Sequence, residues 1–215
     1  MKKAATVLLV RDTPSGMEFL LLERSKALQV LGGYWVFPGG KLDESDQGDR
    51  IENRMLEAAI REVFEETGLR LQKECLIPFA RWQTPVGIPV RFDTYFYIAR
   101  WNSQSVAIDG SEIVNFQWLS SRDALKAHQE GLAPMMPPTV VSLIKIGRFD
   151  RLDDALDYYN KRPTSFYLPK IEEHNGTTVM VYNQDDGYQK GALVGGIDRC
   201  VWKDSHWEYQ TNIAE

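Results

Sequence analysis

The feature that most constrains this 215-residue chain is a glycine loop, Phe37-Pro-Gly-Gly-Lys-Leu-Asp43, followed after a polar excursion by Arg61-Glu-Val-Phe-Glu-Glu-Thr-Gly-Leu69. Leu56, Ile60, Val63 and Phe64 fall at i, i+4, i+7 and i+8, the spacing of a helix that turns one stripe to a core. Gly68 stands where a left-handed C-cap would end that helix. At about 100° per residue, Glu62 and Glu66 lie one above the other beside the stripe, with Glu65 next to them on the solvent side. Like charges at this spacing cost a helix roughly 0.2–0.5 kcal/mol per pair, and Arg61 precedes Glu65 in the less favourable order. Helix stability therefore does not account for the cluster. A hard cation would, because Mg²⁺ and Mn²⁺ take oxygen ligands and a neighbouring loop can add a backbone carbonyl. Taken alone, paired glutamates are ordinary solvated helix surface; the glycine loop before them changes that balance.

Together these residues resemble the box G-x5-E-x7-R-E-u-x-E-E-x-G-u of the Nudix hydrolases, where u is aliphatic. Arg61, Glu62, Val63, Glu65, Glu66, Gly68 and Leu69 match its second half, and Gly40 its opening glycine. The first half departs from it. Asp46 stands where the box has Glu, and fourteen residues rather than seven separate it from Arg61. The surplus is most simply housed in a loop of residues 47–53, at little cost in closure entropy. Such an insertion is similar to that of a Nudix subgroup that includes the coenzyme A diphosphatases, and Arg91-Phe-Asp-Thr94 and Pro137-Pro-Thr139 resemble the same subgroup. A coenzyme A signature before the box is only partly present.

The resemblance implies an α/β (α+β) fold, an α/β/α sandwich with a mixed β-sheet, and Mg²⁺- or Mn²⁺-dependent hydrolysis of a nucleoside diphosphate-linked compound. It assigns Glu62, Glu65, Glu66 and the Gly39 carbonyl to the metal, and Arg61 to holding Glu65. Glu112, on the loop before a strand, is placed as a further metal ligand or general base, against the plainer reading of a loop carboxylate. Arg24 and Arg91 are the candidate phosphate contacts. Coenzyme A or acyl-coenzyme A is the first substrate; ADP-ribose, a dinucleotide or a nucleoside triphosphate are alternatives, as is a non-catalytic binding or regulatory protein.

Along the rest of the chain, residues 4–10 and 17–23 read as a hairpin around Asp12-Thr-Pro-Ser-Gly16. The apolar run after Met1-Lys2-Lys3 stops at Arg11-Asp12, too short for a spanning helix, so it reads as a strand rather than a signal. Residues 34–37 make a short strand leading into a turn at Pro38-Gly39-Gly40. Strands follow at 76–82, 91–99 and 114–118. Helices are predicted from a Ser121 cap to His128, from Pro137 to Ile146 and from Asp150 to about Lys161. His128, on a polar stretch, reads as a surface histidine.

From Pro163 the pattern changes to hairpins: 167–173 with 177–182 around His174-Asn-Gly176, and 200–203 with 206–210. Residues 163–215 carry four basic against eight acidic side chains. The chain thus divides into a domain over 1–150 and a C-terminal helix and β-hairpin appendage over 151–215, packed on the same domain. A net charge of −5 without a basic run disfavours nucleic acid as a bulk partner. No membrane segment is read. Cys75 and Cys200 suit a reducing compartment, with one disulfide left open, and Asn212-Ile-Ala-Glu215 is not a peroxisomal address; both favour the cytoplasm. A homodimer in which the appendage completes its neighbour's pocket is a further possibility.

Overall fold

A computed structural model describes residues 1–101, 103–190 and 195–212. The main sheet has eight strands: β1 (Lys2–Thr13), β2 (Gly16–Arg24), β3 (Trp35–Val36), β4 (Gly39–Lys41), β5 (Ile77–Gln83), β6 (Phe92–Arg100), β7 (Ile113–Leu119) and β8 (Ser165–Tyr167). Their order is β3-β2-β1-β6-β5-β8, with β4 paired to β1 and β7 to β2. The β1/β6 and β5/β8 pairs are parallel and the others antiparallel, so the sheet is mixed. Helices α1 (Ile51–Thr67), α2 (Ser121–Gln129), α3 (Pro137–Gly147), α4 (Leu152–Asn160) and the short α5 (Gly187–Lys190) accompany it. A second, antiparallel sheet runs β12-β11-β10-β9, from β9 (Lys170–His174), β10 (Thr177–Val181), β11 (Asp198–Lys203) and β12 (His206–Thr211).

The sandwich follows from side-chain alternation along continuously apolar strands, which marks burial on both faces. Ala5, Val7, Leu9, Leu20 and Leu22 pack with Met55, Ala58, Ala59 and Val63 of α1. Their neighbours Leu8, Val10, Phe19 and Leu21 point the other way, onto Ala124 of α2, Val140 and Val141 of α3, and Leu152 and Ala155 of α4. Each fully buried Leu or Phe contributes about 1.5–3 kcal/mol.

Several sequence expectations are corrected. The buried face of α1 is Met55, Ala58, Ala59 and Val63, whereas Phe64 is 41% exposed and lies under the Arg70 guanidinium at 4.3 Å. Val63 is buried and Leu56 and Ile60 pack partly buried against the same cluster, so of the expected stripe only Phe64 leaves the core. The surplus residues are not all loop: Ile51, Glu52 and Asn53 form the first turn of α1, since Ile51 extends the apolar face to i−4 of Met55. The expected turn at Gly39-Gly40 is strand β4, in register with Ala5 and Thr6. Ser120, not Ser121, caps α2, accepting the Asp123 N–H at 3.1 Å. Tyr167 belongs to the main sheet through β8 rather than to the hairpin that follows it. Other turn signals are met: Gly68 ends α1 at φ +71°, and Asn175-Gly176, both left-handed, make the β9–β10 hairpin.

His128 is the largest correction. It is 3% exposed, and its ring contacts the backbone on both sides: Nδ1 lies 3.1 Å from the Met135 N–H and 3.3 Å from the Ala133 carbonyl, and Nε2 lies 3.2 Å from both the N–H and the carbonyl of Trp207 in β12, so one ring nitrogen accepts and the other donates. Its helix face is covered by the C-terminal sheet, which a local reading cannot see. That sheet shares the core of the main one, where Met180, Tyr182 and Cys200 belong to the same buried cluster as Phe19 and Val140. Trp82 of β5 stacks on Tyr167 at 3.8 Å with planes 5° apart. Cys75 is exposed, Cys200 is buried, and both are free. Among the described residues no helix is long and apolar enough to cross a membrane. Ile213, Ala214 and Glu215, at the C-terminal stretch read for an address, lie outside the described residues.

Candidate functional site

The site lies where α1 meets β4, and the glycines let them touch. A Cβ on Gly40 would fall inside the Glu62 carboxylate, and one on Gly39 would fall onto the Ala5 carbonyl and Thr6. Gly39 also takes φ +154°, which a side chain would resist. Val7 N–H donates to the Pro38 carbonyl and Leu42 N–H to Lys3, so the antiparallel alternation leaves the Gly39 N–H and C=O turned away from β1. That N–H donates to Glu66 Oε2 at 2.9 Å.

Glu66 is only 7% exposed. Burial pushes its carboxyl up to about 8, against the Gly39 hydrogen bond, and the charges of Glu62 and Glu112 push the same way while Arg24 opposes them. Arg24 Nη1 lies 4.0 Å from Glu66 Oε1. Glu62, half-buried, is also raised, by burial first and then by Glu65 and Asp46, with Arg61 opposing. Glu65 is the exposed member of the three.

Arg61 organises the rest. Its Nη1 donates to Glu62 Oε1 and Glu65 Oε2, both at 3.0 Å, and its Nη2 to the Lys41 carbonyl at 2.8 Å. Its Nε and Nη2 clamp Asp46 at 2.9 and 3.0 Å. Asp46, which the sequence left without a role, is 4% exposed and also accepts the Asp43 N–H at 2.7 Å. The five-residue step from Gly40 was the signal for it. The guanidinium thus ties the glycine strand, the residues after it and α1 into one unit.

Glu112 is exposed, and its carbonyl accepts the Ser25 N–H at 2.7 Å. Its loop is set by Asp109, which receives the N–H groups of Ser111, Glu112 and Ile113. Burial opposes the charge on Asp109, but these bonds and the Ser111 hydroxyl outweigh it and hold the carboxyl down at about 2. The charge of Glu112, like that of Glu62, is felt at Glu66 beside Gly39.

A groove of about 360 Å³ opens beside the glycine strand. Arg24, Gly39, Gly40 and Lys41 line it, with Phe37, Trp82, Thr94, Pro138 and Thr139. Arg91 is not in that lining: its Nε donates to the Thr84 carbonyl at 3.0 Å and braces the loop at the rim. Asp93 is structural, 1% exposed and held by Arg81 at 2.6 and 2.7 Å and Lys3 at 2.5 Å.

Residues 1–138 match the NUDIX domain. The chain belongs to the Nudix family. It is 24% identical over 199 residues to a protein described as nudix hydrolase 7 of Caenorhabditis elegans, covering 75% of this chain and 66% of that one. To the m7GpppN-mRNA hydrolase NUDT17 of Xenopus laevis it is 28% identical over 143 residues, 59% of this chain and 46% of the relative. The matches thus span about half to two thirds of these relatives' length. Among solved structures, a NUDIX hydrolase from Alicyclobacillus acidocaldarius superposes with a TM-score of 0.67 at 24% identity, over 76% of this chain and 98% of that one. The mixed sheet flanked by helices is the Nudix fold.

A divalent cation fits this Nudix site by its chemistry. The donors are carboxylates, and both Glu62 and Glu66 are raised first by burial and then by neighbouring carboxylates, Glu65 and Asp46 for the one and Glu62 and Glu112 for the other, a penalty that a cation would relieve. Among the described residues no three His, Cys, Asp or Glu side chains are already gathered as a metal cage. Arg61 supplies the positive charge between Glu62 and Glu65.

Proposed function

We propose that this Nudix protein is a hydrolase that cleaves the phosphoric anhydride of a nucleoside diphosphate-linked compound. The observation that carries the reading is Glu66, a carboxylate buried against the Gly39 N–H within reach of Glu62 and Glu112. Helix stability gives no reason for it. The name m7GpppN-mRNA hydrolase, borne by the Xenopus relative, is that of an enzyme acting on an anhydride-linked nucleotide.

Glu62, Glu65, Glu66, Glu112 and the Gly39 carbonyl would hold Mg²⁺ or Mn²⁺, which when bound neutralises diphosphate charge and makes water acidic enough to attack. Arg61 fixes the carboxylates through Asp46 and Lys41. Arg24, between Glu66 and the groove, attracts the substrate's phosphate. Glu112, exposed where Glu66 is buried, is the group able to accept a proton from attacking water.

The narrower substrate in this reading is a coenzyme A-type compound, cleaved to 3′-phospho-AMP and a phosphopantetheine. Support comes from Thr94, Pro138 and Thr139, members of the two stretches that resemble the coenzyme A subgroup, all of which face the groove. The test is product release with Mg²⁺ or Mn²⁺, and with EDTA, from coenzyme A, dephospho-coenzyme A, ADP-ribose, NADH and nucleoside triphosphates. Metal-dependent cleavage of at least one is the expected result, and inertness toward all sinks the hydrolase. A preference for ADP-ribose or NADH over both coenzymes removes only coenzyme A.

A further inference from the structure

The groove is electrostatically one-ended. Among the described residues that line it, Arg24 and Lys41 are the charged ones, and both adjoin the carboxylate face: Arg24 through Glu66, Lys41 as the residue after Gly40. Beyond that end the walls include Phe92, Phe96, Met136, Pro169 and Met180, with a few uncharged polar groups between them. Two of these, Pro169 and Met180, come from the C-terminal segment of the same chain, and both are buried. Their position is fixed from several sides: β8 pairs with β5, Tyr167 stacks on Trp82, and His128 holds β12 by its backbone. The appendage therefore completes its own groove, and no neighbouring copy is needed for that wall.

We propose that Met180, with Pro169, makes the C-terminal sheet a specificity element of this site, selecting diphosphates whose second group is an uncharged, largely apolar body. This rests on the hydrolase reading. A phosphate at the Arg24 end directs whatever it carries along the apolar walls. A second ionised group would have to shed water there without a partner, which strongly disfavours it. A flexible pantetheine-like arm or an aryl group meets the requirement, and a second phosphorylated nucleoside does not.

The experiment uses the full chain and adenosine 5′-diphosphates esterified at the β-phosphate with methyl, hexyl, phenyl or 5-carboxypentyl groups. Their α,β-methylene analogues give affinities by calorimetry, independently of turnover. The hexyl compound should bind roughly tenfold or more tighter than the methyl one, and the 5-carboxypentyl compound should lose most of that gain. Met180→Ala should shrink the hexyl-to-methyl ratio, Met180→Leu should keep it, and Met180→Lys should shift preference toward the carboxylate. Methyl and hexyl analogues binding alike, or ratios unchanged in Met180→Ala, overturns the proposal. If Met180→Lys does not fold, the Ala and Leu variants decide. Selective binding without metal-dependent cleavage would remove the hydrolase and leave this inference standing; cleavage without a chain preference would do the reverse.

Discussion

Replacing Glu66 by Gln separates a metal-binding carboxylate from a structural one, because the two roles move stability in opposite directions. The amide keeps the shape and can still accept the Gly39 N–H. In the metal-free protein it removes a carboxyl whose ionisation burial opposes, raised from 4.5 to about 8. A carboxyl with a raised folded-state pKa costs nothing while protonated in both states, below the unfolded value. The penalty builds as pH rises from 4.5 towards 8, since the unfolded chain releases a proton that the folded one retains. At about 1.36 kcal/mol per pH unit, it amounts to less than about 1 kcal/mol at pH 5 and about 3 kcal/mol at pH 7. Thermal melting in EDTA should therefore show Glu66→Gln above the wild type by roughly 6–12 °C at pH 7, taking about 2–4 °C per kcal/mol. The gap should close towards pH 5. With saturating Mg²⁺ the wild type should gain more than the variant, and the variant should lose roughly two orders of magnitude or more in turnover. Equal melting of the two metal-free proteins at both pH values would refute the electrostatic reasoning; normal turnover by the variant would refute the ligand assignment.

Other substitutions test the frame around it. Asp46→Ala removes a buried partner of the Arg61 fork, so circular dichroism melts should show a loss of about 2–3 kcal/mol, discounted because Arg61 is partly exposed, together with reduced turnover. Gly40→Ala puts a methyl into the Glu62 carboxylate; kcat/KM should fall roughly a hundredfold, the scale of a misplaced catalytic group. Burial outweighs the backbone bonds to His128 and lowers its pKa below 6.5, so its stabilising contribution is present above pH 6.5 and lost as pH falls through the lowered value. His128→Gln should flatten the dependence of melting temperature on pH in that acid window. Excising residues 47–53 should shift KM between substrates more than it shifts metal dependence, although it now also removes the first turn of α1.

What was legible in the sequence was what local chemistry determines. Gly68 had to end α1 because only an achiral residue takes φ +71° freely, and Asn175-Gly176 had to be a hairpin because both positions are left-handed. The carboxylates could be placed on one face because three and four residues make a turn. The outward position of Phe64 was not legible: Met55, Ala58, Ala59 and Val63 fill the fully buried face of α1, with Leu56 and Ile60 partly buried at its edge. Nor was His128, whose environment is made by Trp207, seventy-nine residues away.

Asp46 shows how a departure from a motif can be resolved by geometry. The extra residues looked like a reason to discount it, since they break the spacing to Arg61. Part of that length, however, is absorbed as an additional helical turn on the far end of α1, and the remainder as the bend from Asp46 to Arg50. A turn added at the N-terminus of a helix leaves the rest of the helix where it was, so Arg61 keeps its position over the glycine strand. The spacing from Gly40 to Asp46 is likewise that of the box, and the two arms meet at the guanidinium, where Asp46 accepts at 2.9 and 3.0 Å. Sequence distance between Asp46 and Arg61 therefore carries no information about their contact. The lengths that matter are the two arms, each anchored independently on the same strand and the same helix face.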